Sequence, residues 1–140
     1  VDLTTGTEAP QARKVADGAA ILSLRAVARQ VPIPPAVQDY ALRLVLATHP
    51  GREHTAPVAG LYLRFGASPR AAQALIAAAR CQALFEGRYN VAFDDVAAMA
   101  APVLRHRIVC NFEALSKGET TETVVKTLLE EVPRTPDAHG

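Results

Sequence analysis

The residue with the clearest chemical use is Arg70, in the run Gly66-Ala67-Ser68-Pro69-Arg70-Ala71 ahead of an alanine-rich stretch. Ser68 reads as a helix N-cap and Pro69 as the first helical residue, which places Arg70 in the first turn. A cation there opposes the positive end of the helix dipole, at a cost of roughly a few tenths of a kcal/mol. The same position, with unpaired backbone N–H groups, suits an anion, and a guanidinium adds a two-pronged phosphate donor. A solvated arginine paired with a nearby carboxylate is the plainer alternative. Local physics leaves both open.

Other chemistry is thinner. No Gly-Lys pair occurs, so there is no phosphate-binding loop of the G-x-x-x-x-G-K-[ST] type. G-x-S-x-G and H-E-x-x-H are also missing, which removes the usual hydrolase elbow and the zinc protease helix. His49 and His54 flank a Pro-Gly turn without two further ligands, and read as ordinary surface histidines. Asp94-Asp95 after Val91-Ala92-Phe93 superficially resembles acids at the end of a strand, but suits the first turn of a helix better. On its own the chain is expected to catalyse nothing and to bind no metal.

The elements that must position Arg70 follow from apolar spacing. A first helix spans about 19–30, with Ile21, Leu24, Val27, Ala28 and Val31 on one face. Pro32 and Pro34 stop it, and Pro35 starts a second over 35–49, with Val37, Tyr40, Ala41, Leu44, Val45 and Thr48 on one face. A polar loop follows, then an apolar piece, 58–65, that reads equally as strand or buried loop. The third helix runs from Ser68 to about Glu86, stopped by Gly87. A fourth covers about 93–107, with Pro102 inside it, and a last covers 121–132 behind Thr120. Leu44, Leu75, Ile76, Val103 and Leu128 lie mid-face and are expected to be almost fully buried. Residues 1–18 read as a linker, 19–133 as the folded domain and 134–140 as a flexible tail.

Composition supports an all-α fold, a small bundle of about five helices. The sequence has 140 residues, 27 of them alanine, the best helix former, while aromatic residues make only 5%. Fifteen Lys and Arg against 14 Asp and Glu give a net charge of +1, which excludes a basic nucleic-acid arm or an acidic tail. No apolar run approaches the roughly 18 residues of a membrane span, and Val1 is not followed by a signal-peptide pattern. Cys81 and Cys110 sit in apolar surroundings and are expected to be buried, reduced thiols of a cytoplasmic protein.

The Gly66–Ala71 box, followed by the Ala-rich helix, Gly87-Arg88, Asp94-Asp95-Val96 and Leu104-Arg105-His106-Arg107-Ile108, resembles the C-terminal lid of MoxR-type AAA+ ATPases. Ala20-Ile21-Leu22 and Val31-Pro32-Ile33 look like the start of that lid, and Thr4-Thr5 like the end of the preceding core. The resemblance runs from about Thr4 to Pro133. It implies that Arg70 is the sensor-2 arginine, reaching the γ-phosphate of ATP held with magnesium on the core of the same chain, and that Ser68 belongs to the same site. It allows Arg105 and Arg107 to face the nucleotide or a neighbouring subunit of a ring; a basic helix end complementing the dipole is the alternative. It implies a lid that couples ATP hydrolysis to remodelling or maturing other proteins, with von Willebrand factor A-type domain proteins among the partners. Phe65 stands where the family often has tryptophan. Ala92 stands where a cap belongs, so that helix start is expected to fray. The nucleotide-binding core is not in the sequence, and the chain is expected to be an excised domain or a truncated product.

Two rivals come from other classes. A stand-alone DNA-binding module would rest on Arg64, Arg70, Arg80 and Arg88, but Ala71, Ala72, Ala77, Ala78 and Ala79 leave few side chains to read bases. A simple oligomerisation bundle would form a stable multimer without any core domain.

Overall fold

The computed structural model describes residues 13–135; most of the expected linker and the last five residues of the expected tail lie outside that range. Seven helices occur among the described residues: α1 (Gly18–Gln30), α2 (Pro35–Ala47), α3 (Pro57–Tyr62), α4 (Arg70–Phe85), α5 (Phe93–Leu104), α6 (Phe112–Ser116) and α7 (Thr121–Glu131). Two short strands, β1 (Leu63–Phe65) and β2 (Val109–Cys110), pair antiparallel, with Phe65 opposite Val109 and Leu63 opposite Cys110. The fold is all-α. The apolar piece 58–65 is neither all strand nor loop: Pro57 starts one and a half turns of helix before β1. At five or six residues, α3 and α6 are too short to show a periodic face, so the spacing shows five helices where seven form among the described residues.

The core is built from α2, α4, α5 and α7. Tyr40, Leu44, Leu75, Val96, Leu104, Val124 and Leu128 are all at most 1% exposed. Ala71, Ala79, Ala83 and Ala100 are equally buried, and these small side chains let α4 and α5 pack closely along their lengths. Of the five residues expected at the centre, Ile76 alone is only half-buried. Tyr40 meets Phe93 edge to face at 5.6 Å between ring centroids, joining α2 to the start of α5.

Several helix ends are fixed by side chains. Asp17 accepts the Ala20 N–H, and Thr120 accepts the Thr123 N–H. Ala92 cannot cap α5, yet that helix start is held, because Asp95 reaches back to accept the Ala92 N–H at 2.7 Å. Glu131 of α7 accepts the Val58 N–H at 2.9 Å and so caps α3 across the bundle. After α7 the chain stays attached: Arg43 of α2 donates to the carbonyls of Pro133 and Arg134, and Arg134 pairs with Asp94 at 2.5 Å.

α1 forms where the spacing placed it, but its apolar residues lie outside the core, with Ile21 50%, Leu24 62% and Val27 44% exposed; Val31, just beyond its end, is fully buried. Cys81 is exposed and Cys110 half-buried, so neither is the fully buried thiol expected. Cys81 lies on the exposed side of α4, whereas Cys110 packs partly against the core, and that burial raises its thiol pKa.

Candidate functional site

The placement of Arg70 begins at the far end of α2. Thr48 is fully buried, its hydroxyl donates to the Val45 carbonyl at 2.6 Å, and its oxygen accepts the Ala67 N–H at 2.9 Å. One buried hydroxyl thereby satisfies both its own hydrogen-bonding needs and those of the turn before α4. Gly66 fits against the same place. A Cβ there would lie 2.6 Å from the Thr48 carbonyl oxygen and 2.9 Å from the His49 Cα, so only glycine permits the approach. With Ala67 and Ala71 both buried, the box is clamped between α2 and the bundle, and Arg70 projects from it as an exposed side chain.

The start of α4 differs from the sequence reading in two respects. Ser68 does not cap the helix; its side chain accepts no backbone N–H there, and Pro69, already in helical conformation, occupies the N-cap. The Ala71 and Ala72 N–H groups are also taken, by the carbonyls of Ser68 and Pro69 at 2.8 and 3.1 Å. A tight turn forms because Pro69 brings its own helical φ and no N–H. Any anion at this end must therefore be recognised chiefly through the Arg70 guanidinium, with the exposed Ser68 hydroxyl beside it in sequence.

The β1–β2 ladder brings a second group to this end. Phe65, just ahead of the box, pairs with Val109, just after Arg105-His106-Arg107. The C-terminal end of α5 thus lies at the same end of the bundle as the start of α4. Both arginines there have partners. Arg105 pairs with Glu122 at 2.8 Å, both exposed, and Arg107 donates to the Val103 carbonyl at 2.6 Å, satisfying one of the last carbonyls of α5. His106 lies against the Arg107 guanidinium. Arg70, by contrast, has no carboxylate within ion-pair distance among the described residues.

Arg88 and Asp95 form a structural pair that sequence reasoning passed over. Arg88 grips Asp95 with both prongs, at 2.9 and 2.5 Å, and reaches Glu86 at 2.7 Å. The Asp95 side chain is 1% exposed, and the Arg88 hydrogen bonds hold its carboxyl below the usual carboxylate range against the opposing effect of burial. The signal was available: Asp95 is three residues past Ala92, the position from which an acid closes a capping box. This pairing removes Arg88 from the DNA-reading set, and Arg80 of the same set lines a groove against α1. The His49 imidazole lies 3.1 Å from the Val45 carbonyl, at the end of α2. Asp94 faces Arg134 rather than a site.

Residues 55–128 match the AAA lid domain family. The chain is 35% identical over 127 residues to a protein named Chaperone MoxR1 from Mycobacterium tuberculosis (strain ATCC 25618 / H37Rv), covering 91% of this chain and 34% of that protein. It is 52% identical over 46 residues to Protein MoxR from Paracoccus denitrificans, covering 33% of this chain and 14% of that one. A crystal structure of a candidate ATPase from Cytophaga hutchinsonii ATCC 33406 has the same fold, with a TM-score of 0.80 and 30% identity over 94% of this chain and 40% of that one. The chain spans about a third or less of the length of these curated relatives.

Proposed function

Because this chain belongs to the AAA lid domain family and is the helical lid of a MoxR-type AAA+ ATPase, we propose that it closes over ATP bound to a core domain and supplies Arg70 to the γ-phosphate. The observation that carries this reading is Arg70 itself: an exposed guanidinium on a clamped helix start, with no anionic partner among the described residues. Such a preorganised cation costs little reorganisation when charge develops on a transferring phosphoryl group.

The fit to nucleotide is one-sided. The Arg70 end suits a phosphate. In this reading magnesium is held by residues of the core, and the lid's share is charge and positioning. Its clamped box and closely packed α4–α5 pair suit rigid-body closure, which would pass nucleotide state to neighbouring subunits of a ring. Coupling to the remodelling or maturation of client proteins, von Willebrand factor A-type domain proteins among them, completes the reading, with the assembly working in the cytoplasm. Ser68 stands beside Arg70 at the phosphate, and Arg105 and Arg107 serve the lid's internal geometry first.

The test is the Arg70→Ala variant of a full-length protein carrying this lid. Steady-state ATP hydrolysis should fall about 10- to 1,000-fold, the range for deleting one preorganised charge donor. Its melting temperature should not change, since no buried group is lost. Unchanged hydrolysis would return Arg70 to a plain surface role, and a large drop in melting temperature would mark it as structural. Tight binding of this chain to random duplex DNA at low salt would favour the DNA-binding rival instead.

A further inference from the structure

We propose that the groove between α1 and α4 is a docking site for an acidic amphipathic helix of another protein. The groove encloses about 410 Å³, within the range of cavities that receive ligands and partner side chains. Its lining is mostly apolar: Ile21, Leu24 and Ala28 from α1, Leu84 and Phe85 from α4. Phe85 is 87% exposed and Leu24 62%, so two large apolar side chains of the groove face water.

Charge selects the occupant. Arg25, Arg29 and Arg80 line the groove and no carboxylate does. None of the three forms an ion pair among the described residues, although the whole chain carries a net charge of only +1. The positive charge is thus a property of this place and not of the protein at large. Arg80 adds a second observation. Its Nε is buried without a hydrogen-bond partner, the only such side-chain atom among the described residues. An unmet donor on a partly buried arginine is costly, and a carboxylate entering the groove beside Arg80 would satisfy it once the side chain turns toward it.

A second copy of this chain fits poorly, because a two-fold contact would set the same three arginines against each other. A lipid surface would meet the exposed Arg25 and Arg29 on α1, but a flat headgroup layer does not pair with a donor that is itself buried. An amphipathic helix does both jobs, laying leucines at i, i+3, i+4 and i+7 along the apolar lining while glutamates on its flanks meet the arginines. This surface involves neither Arg70 nor the Gly66 box, so it stands or falls apart from the nucleotide reading.

The experiment uses the chain as it is and a fluorescein-labelled peptide of about 18 residues with that leucine spacing and flanking glutamates, followed by anisotropy. The glutamate peptide should bind about tenfold tighter than its glutamine twin. Arg80→Gln and Arg25→Glu should each weaken it about five- to tenfold with unchanged circular dichroism, while Lys126→Gln, exposed on α7 and outside the groove lining, should not. Cys81 lines the groove, so bound peptide should slow its alkylation by a maleimide. If Arg80→Gln does not fold, Arg25→Glu, on an exposed helix face, carries the test. Equal binding of the two peptides, an equal loss with Lys126→Gln, or an unprotected Cys81 would overturn the proposal. So would tight binding to phosphatidylserine vesicles with no binding to the peptide, which would assign the face to a membrane.

Discussion

α1 and α2 are each 13 residues long, follow one another across a proline-rich turn, and carry apolar residues at helical spacing. In α2 that face is sealed: Val37, Tyr40, Ala41, Leu44 and Val45 are all at most 3% exposed. In α1 no residue is fully buried; Ala20 and Ala28 are half-buried, and only Val31, just past its end, is sealed in the core. The two helices read alike in sequence because periodicity reports that a face is apolar, and nothing about what covers it. α2 is covered by α4, α5 and α7, whereas α1 packs mainly on α4 among the described residues. The polar groups follow the same division. On the covered side Arg88 meets Asp95 with two hydrogen bonds, while on the α1 side the Arg80 Nε has no partner.

The strongest way to break this comparison is to cut the same side chain from both helices. Leu44→Ala in α2 removes a fully buried side chain and should cost about 2–5 kcal/mol in urea unfolding, from lost burial plus the cavity left behind. A loss under half a kcal/mol would mean that α2 does not seal the core. Gly66→Ala tests the other edge of α2, since the new Cβ meets the Thr48 backbone and not a movable side-chain tip. Overpacking of that kind should cost about 1–3 kcal/mol, and an unchanged midpoint would show that the box is not clamped.

Asp95→Asn comes next, at about 1–3 kcal/mol for a buried charged hydrogen-bond acceptor. Its pH dependence has a definite sign. Arg88 holds the native Asp95 carboxyl below its unfolded value, so the contribution is complete above about pH 4 and fades as pH falls through the lower native value. The stability gap between the natural chain and Asp95→Asn should therefore narrow from pH 5 to pH 3. A gap that stayed constant would show that the pair contributes through shape and not through charge.

The sequence was most legible where propensity, capping and periodicity agreed. Pro35, Thr120 and the inward faces of α2, α4, α5 and α7 emerged as read, and the fold class with them. It was least legible where the outcome depended on distant partners. Ser68 has the chemistry of an N-cap, but Pro69 adopts helical angles early and the Thr48 hydroxyl takes the neighbouring N–H, so the local rule was overridden by a contact 19 residues away. Asp95 looked like one more acid in a first turn until Arg88 folded back onto it. At the candidate site, Arg70 was found from local electrostatics and from resemblance. The reason it stands where it does, Gly66 packed on the Thr48 carbonyl, needs the tertiary structure. The apolar spacing of α1 was legible, but whether that face is covered was not, because nothing local distinguishes it from α2.

Leu24→Ala is the smallest expected effect and the most discriminating. Leu24 is 62% exposed, alanine is the better helix former, and little apolar area returns to water on its removal. The isolated chain should therefore change by less than about 0.5 kcal/mol in the same urea titration that costs Leu44→Ala several times more. If α1 only decorates the bundle, the substitution is silent in every assay. If the groove receives an acidic amphipathic helix, the same substitution leaves stability alone and weakens the peptide complex about threefold or more, since Leu24 forms part of the groove's lining. A loss of stability above about 1 kcal/mol would show instead that α1 is an integral wall of the core, and the contrast between the two helices would collapse.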